Sequence, residues 1–152
     1  MMPTCPCPSC GKARRRDVMK MEGGCFCGTL RYQVEGRPLM KGQCHCRSCQ
    51  HHSGGAPNLF MVMPKQGFSY TQGTPRQFRR DAADAMVTRD FCESCGTHVA
   101  NHRDGLEAVI VKIGTLDDPA RFGGPKVALY LAEKQAFHHV PDGVHCFDGL
   151  PS

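Results

Sequence analysis

The spacing of the cysteines constrains this 152-residue chain more than any other feature. They fall in short groups: Cys25-Phe26-Cys27, Cys44-His45-Cys46-Arg47-Ser48-Cys49 and Cys92-Glu93-Ser94-Cys95. C-x-C and C-x2-C are spacings of metal ligands. Zinc binds thiolates in a tetrahedron, and a closed structural site takes four of them. Cys25, Cys27, Cys92 and Cys95 supply four. Cys44, Cys46 and Cys49 supply three, which leaves one corner free. The spacing therefore predicts one filled zinc site beside one open site.

The length suits one domain. With 17 Gly, 11 Pro and no Trp, the composition predicts many turns and short strands rather than long helices. Such a chain gains from metal staples. Residues 1–20 have no apolar core of a secretory signal, and no stretch approaches the ~20 apolar residues of a membrane span. A reducing cytoplasm is the expected setting, with thiols on metal rather than in disulfides. The net charge is +5, but Lys12, Arg14, Arg15, Arg16 and Lys20 face only Asp17 within the first twenty residues. The body is close to neutral, which argues against a nucleic-acid footprint.

Residues 1–20 read as a flexible Cys- and Arg-containing extension, ahead of a zinc-binding β domain over 21–152. Cys5, Cys7 and Cys10 repeat the C-x-C-x2-C spacing. A third zinc there lacks an obvious fourth ligand, Cys146 being the leftover thiol, so the extension is the favoured reading.

Along the body, Leu30, Tyr32 and Val34 alternate with polar neighbours as in a half-buried strand. A second strand over 39–45 delivers Cys44. Residues 47–53 suit a single helical turn or short helix stopped by Gly54-Gly55. Further strands are expected at 58–63, 68–71, 76–79, 85–91, 97–101, 108–113 and 127–131, with turn signals between them. Residues 116–122 allow at most one helical turn.

Four motifs in order, Gly-Gly-Cys-Phe-Cys-Gly-x-x-Arg-Tyr, Cys-His-Cys-Arg-x-Cys-Gln, Phe-Cys-x-x-Cys-Gly-Thr-His and Gly-Thr-Leu-Asp-Asp-Pro, resemble the glutathione-dependent formaldehyde-activating enzyme family, also called the centromere protein V-like domain. The resemblance spans about residues 23–148. It implies a mostly β domain of the β-tent kind, built of short antiparallel strands with little helix. It implies two zinc ions, a structural one on Cys25, Cys27, Cys92 and Cys95 and a second on Cys44, Cys46 and Cys49. The activity it implies is a carbon–sulfur lyase reaction that forms S-(hydroxymethyl)glutathione from glutathione and formaldehyde.

Within that chemistry, Cys44, Cys46 and Cys49 are the catalytic candidates. A thiol entering the open corner would lose its proton, and the thiolate is the nucleophile toward a carbonyl carbon. Arg47 is the candidate for a glutathione carboxylate. His45, between two ligands of an extended C-x-C, points away from the metal and is read as a packing or supporting residue. His51 and His52 are candidates for a fourth ligand or a proton carrier, and His98 is expected to pack against the Cys92-Cys95 turn. The alternative reading is a non-catalytic module of the same fold that captures a thiol or a partner protein.

Overall fold

Short runs, several with period-two alternation, assemble into two sheets in the computed structural model, which describes residues 18–152. The smaller sheet has three antiparallel strands. β1 (Met19–Gly24) pairs with β2 (Arg31–Gly36), and β2 with β5 (Phe68–Gln72). The larger sheet contains β3 (Met40–Cys44), β4 (Asn58–Pro64), β6 (Arg76–Arg79), β7 (Val87–Phe91), β8 (His98–Arg103), β9 (Ala108–Lys112), β10 (Val127–Leu129) and β11 (His145–Cys146). Its order is β11-β10-β3-β4-β9-β8-β7-β6. The α-helix, α1, covers only Arg47–His52. Among the described residues no helix is long and apolar enough to cross a membrane.

The fold is thus mostly β, as expected, with two differences. β1 begins at Met19, so Met19 and Lys20 belong to the sheet rather than to the extension. Met21 is buried there while Lys20 and Glu22 face out. The strands are antiparallel except at β10, which runs parallel to both β3 and β11. β10 arrives through the Pro119–Phe122 turn instead of a hairpin, and only a hairpin forces antiparallel entry. The rest of the extension, with Cys5, Cys7 and Cys10, lies outside the described residues.

Alternation along β4 and β9 sends side chains to two cores. Met61, Met63, Val109 and Val111 join Tyr32 and Val34 of the small sheet between the two layers. Phe60, Val62 and Ala108 join Cys44 and Leu129 on the opposite face. Each buried aliphatic contributes about 1.5–3 kcal/mol of burial free energy. The division also separates the cysteines: Cys25 and Cys92 belong to the first core, and Cys44 to the second.

The first and last motifs lock together. Gly23 bridges Leu116, and a Cβ on Gly23 would collide with the Thr115 carbonyl and the Tyr32 ring. The Tyr32 hydroxyl lies 2.9 Å from Thr115 Oγ1. Arg31 forms a two-pronged ion pair with Asp117, holding that carboxyl below its ordinary range through the guanidinium hydrogen bonds. These motif residues fasten the small sheet to the end of β9.

Two cysteine centres and a basic cavity

The Cys25-Phe26-Cys27 turn and the Cys92-Glu93-Ser94-Cys95 turn face each other across 65 residues of sequence. Gly96 closes the second turn at φ 76°, where its amide donates to the Cys92 carbonyl at 2.8 Å. The Thr97 hydroxyl accepts from the Phe26 amide at 3.1 Å, tying one turn to the other. The four sulfurs lie within 4.8 Å of one another, with Cys25–Cys27 at 3.6 Å and Cys27–Cys92 at 3.7 Å. Sulfurs on a tetrahedron with Zn–S bonds of ~2.3 Å stand about 3.8 Å apart. The donor set and its spacing therefore fit a four-coordinate metal. All eight described cysteines are free thiols.

The second centre forms where β3 ends and α1 begins. Cys46 caps the helix in an extended conformation, and its sulfur accepts from the Cys49 amide at 3.4 Å. This single turn swings Cys49 back beside Cys44 and Cys46, all three sulfurs lying within 4.8 Å. Among the described residues no fourth His, Cys, Asp or Glu joins them. Hydrogen bonds from Cys44 and Cys49, with the Cys49 and Ser48 amides, lower Cys46 to about 2. Cys44 is raised by its hydrogen bonds to Cys46 and Cys49 and by burial. For Cys49 the Cys44 hydrogen bond lowers, but Cys46 and burial push the thiol up to about 11.

A buried polar chain holds this turn from below. His45 is fully buried. Its backbone amide donates to the Leu129 carbonyl at 2.9 Å. His138 Nε2 must donate to the Gly55 carbonyl at 2.7 Å, which makes His138 Nδ1 the acceptor for His45 Nδ1–H at 2.9 Å. His45 Nε2 then accepts from the Gln43 amide at 3.0 Å. Burial lowers the His45 imidazole below its ordinary range. Gln50, buried on α1, donates to the carbonyls of His45 and Glu133. His45 therefore supports the turn, as expected from the C-x-C geometry.

Neither His51 nor His52 reaches the three sulfurs. His52 instead packs edge-on against His98, ring centroids 5.1 Å apart. His98 thus meets α1, and its imidazole, lowered to about 4 by burial and the Lys112 charge, donates from Nε2 to Asn101 Oδ1 at 2.5 Å.

A cavity of about 430 Å³ opens over Cys44, Cys46 and Cys49. That volume suits a small ligand. Its floor includes Phe60, Ile110 and Leu129, and its walls carry Arg47, Arg80, Arg89 and Arg103 against Asp84 and Glu133. Arg89 and Arg103 are half-buried, and among the described residues neither pairs with a carboxylate. Arg47 lines the cavity while its guanidinium is turned to Gln50 and its amide donates to Glu133. Tyr130, also in the wall, is the one described non-glycine residue at positive φ, 58°. Such strain persists where the surroundings fix it, and it clusters at functional sites.

Sequence reasoning singled out Arg47 but missed Arg89, Arg103, Tyr130 and Lys112. Lys112 alone left a signal, as a charged residue in the nearly all-apolar run Ala108–Ile113. It is 7 % exposed, and burial pushes its ammonium down to about 8.

Residues 20–133 match the family described as glutathione-dependent formaldehyde-activating enzyme. The chain belongs to that family. The fold is also similar to a crystal structure of a Rhodobacter sphaeroides protein, at 20% identity and a TM-score of 0.54, covering 69% of this chain and 97% of that one. No curated protein sequence matches this chain. The family's name attaches glutathione and formaldehyde to this fold, and both cysteine groups could hold a metal.

Proposed function

We propose that the protein is a zinc-dependent carbon–sulfur lyase that joins a glutathione-like thiol to formaldehyde, or cleaves the adduct. In the forward direction the thiol sulfur bonds to the carbonyl carbon, the C=O π bond breaks, and a proton ends on the resulting hydroxyl oxygen. The observation that carries this reading is the three-thiol centre opening into a cavity whose half-buried arginines, Arg89 and Arg103, have no carboxylate partner among the described residues. Cys44, Cys46 and Cys49 would hold the second zinc and Cys25, Cys27, Cys92 and Cys95 the first. A zinc ion on three thiolates supplies Lewis acidity that favours the ionised form of a fourth thiol.

The chain's own residues do the rest. Arg89 and Arg103, with the more exposed Arg80, attract the carboxylates of a peptide thiol and orient its sulfur toward the trio. Arg47 can swing from Gln50 to join them. Phe60, Ile110 and Leu129 keep water from the reacting carbon. The hydrogen-bonded His45 and His138 hold the Cys44–Cys46 turn still, so the three sulfurs keep their spacing. A reducing cytoplasm would keep every thiol available.

The test is exchange of 13C-labelled formaldehyde with glutathione, followed by NMR alongside metal analysis. The expected result is two zinc ions per chain and exchange faster than the uncatalysed rate. Glutathione binding without acceleration would replace the lyase with a thiol-binding module.

A further inference from the structure

The cavity arginines are positioned to meet a ligand, but one cation of this face is not. Lys112 ends β9 on the same side as Ala108 and Ile110, opposite Phe60 of β4. That side is the one carrying Cys44, Cys46 and Cys49. Lys112 is 7 % exposed, and it does not line the cavity. Among the described residues no carboxylate pairs with it. The groups of opposite sign that act on it are Cys49, Cys44 and Cys46, while Arg89 opposes it. His52 and His98, its other titratable neighbours, are both held toward the neutral form by burial and by its charge.

A buried ammonium is tolerated only when charge of the opposite sign is close. Among the described residues, the groups that can supply that charge are the sulfurs of Cys49, Cys44 and Cys46. Three thiolates around a divalent ion carry one net negative charge, and a fourth thiolate raises it to two. Both states lie against an apolar floor of Phe60, Ile110 and Leu129, where an uncompensated charge is costly.

We infer that Lys112 is the built-in counter-ion of the three-thiol centre, a positioning residue that stabilises the metal-loaded, and further the thiol-loaded, state from beneath. This rests on the reading that the trio holds a divalent metal. It explains why a strand otherwise filled with Val, Ile and Ala keeps a lysine at its end. It also separates two kinds of cation on this face: the arginines select the ligand, and Lys112 balances the centre whatever the ligand.

The experiment is a competition of the intact protein against a chromogenic chelator, with zinc and with cobalt, for the native chain, Lys112→Met and Lys112→Arg. The native stoichiometry tests the reading underneath: one ion per chain instead of two would remove the second metal, whatever Lys112 does. Given two ions, Lys112→Met is expected to weaken one of them about 10- to 100-fold, the range for groups that support metal ligands. The four-sulfur ion should be unchanged, since its buried cysteines, Cys25 and Cys92, belong to the other core. Lys112→Arg should hold both ions near native affinity. Both ions at native affinity in a folded Lys112→Met would overturn the inference. If Lys112→Met does not fold, Lys112→Arg decides: native affinity supports the charge role, and a tenfold or greater loss with charge retained refutes it.

Discussion

The two cysteine centres use the same ligand chemistry to opposite ends. The four-sulfur centre joins two turns 65 residues apart, and two of its cysteines, Cys25 and Cys92, are buried in the core between the sheets while Cys27 and Cys95 are exposed. The Leu30 amide donates to Cys25, the Cys27 thiol donates to the Thr29 hydroxyl, and Cys95 pairs with the Thr97 hydroxyl, all partners within or just after those turns. The three-sulfur centre is made within six residues of chain, closes no long loop and opens into a cavity. Closing a long loop makes metal binding a folding event, whereas a local cluster leaves the binding energy free for a ligand. The difference teaches that sequence separation of ligands, more than their number, tells which site holds the fold.

The sharpest way to break this contrast is to delete one sulfur from each centre. Cys92→Ser should cost most: with a buried ligand gone and the two turns released, the cooperative thermal melt near neutral pH is expected to disappear. Metal binding energies of structural sites rival the ~5–15 kcal/mol that hold an average domain. A Cys92→Ser protein that melts like the native chain would remove the structural role.

Cys46→Ser is expected to do the reverse. Serine keeps the helix cap that the Cys46 sulfur provides, so the stability change should stay below about 1 kcal/mol. One metal ion per chain and all formaldehyde exchange should vanish. Calorimetry and metal analysis on the same sample check both halves. A large fall in melting temperature would show the three-sulfur centre to be structural as well.

These contrasts were unevenly legible in the sequence. The cysteine groups were readable because ligand spacing encodes chemistry directly, and counting separated a group of four sulfurs from a group of three. The strands around them were readable from alternation, as at Leu30, Tyr32 and Val34. β1 was hidden because Met-Lys-Met-Glu runs straight into the glycines of the next motif and adjoins a basic run. The parallel placement of β10 is a tertiary choice that no local pattern carries. His138 lies 93 residues from His45, and Arg31 lies 86 from Asp117. Such pairs are fixed only when the sheets assemble. The cavity wall was missed for a related reason: Arg89 and Arg103 stand on neighbouring strands, and an arginine in an amphipathic strand reads as its solvent face.

The wall gives the next prediction. Arg89→Met and Arg103→Met should each raise KM for glutathione about tenfold, with kcat little changed, because an orienting charge acts on binding before chemistry. A thiol without carboxylates, such as 2-mercaptoethanol, should show almost no change. Equal losses for both thiols would mean that these arginines shape the cavity rather than read charge. Neither substitution should alter the four-sulfur centre, so unchanged melting temperatures sharpen the division between the two faces.

The smallest effect expected is in pH dependence, and it too separates the centres. His98 stands beside α1 and Lys112, and burial with that neighbouring charge lowers its imidazole to about 4. In the unfolded chain an imidazole titrates near 6.5. Between about pH 6.5 and 4 the unfolded chain therefore takes up a proton that the folded one refuses. Stability contributed by neutral His98 is complete above about pH 6.5, and it declines as pH falls toward 4. His98→Gln can still donate to Asn101 but does not titrate, so its urea midpoint should fall less over that window than the native one. The 1H–13C resonances of the His98 ring should show no protonation above about pH 5. The two turns that carry Cys25, Cys27, Cys92 and Cys95 contain no histidine, and His98, which follows the second of them at the start of β8, turns to α1 instead. A His98 midpoint near 6.5, with parallel urea curves for the two proteins, would erase this distinction and leave the two centres equally insensitive to mild acid.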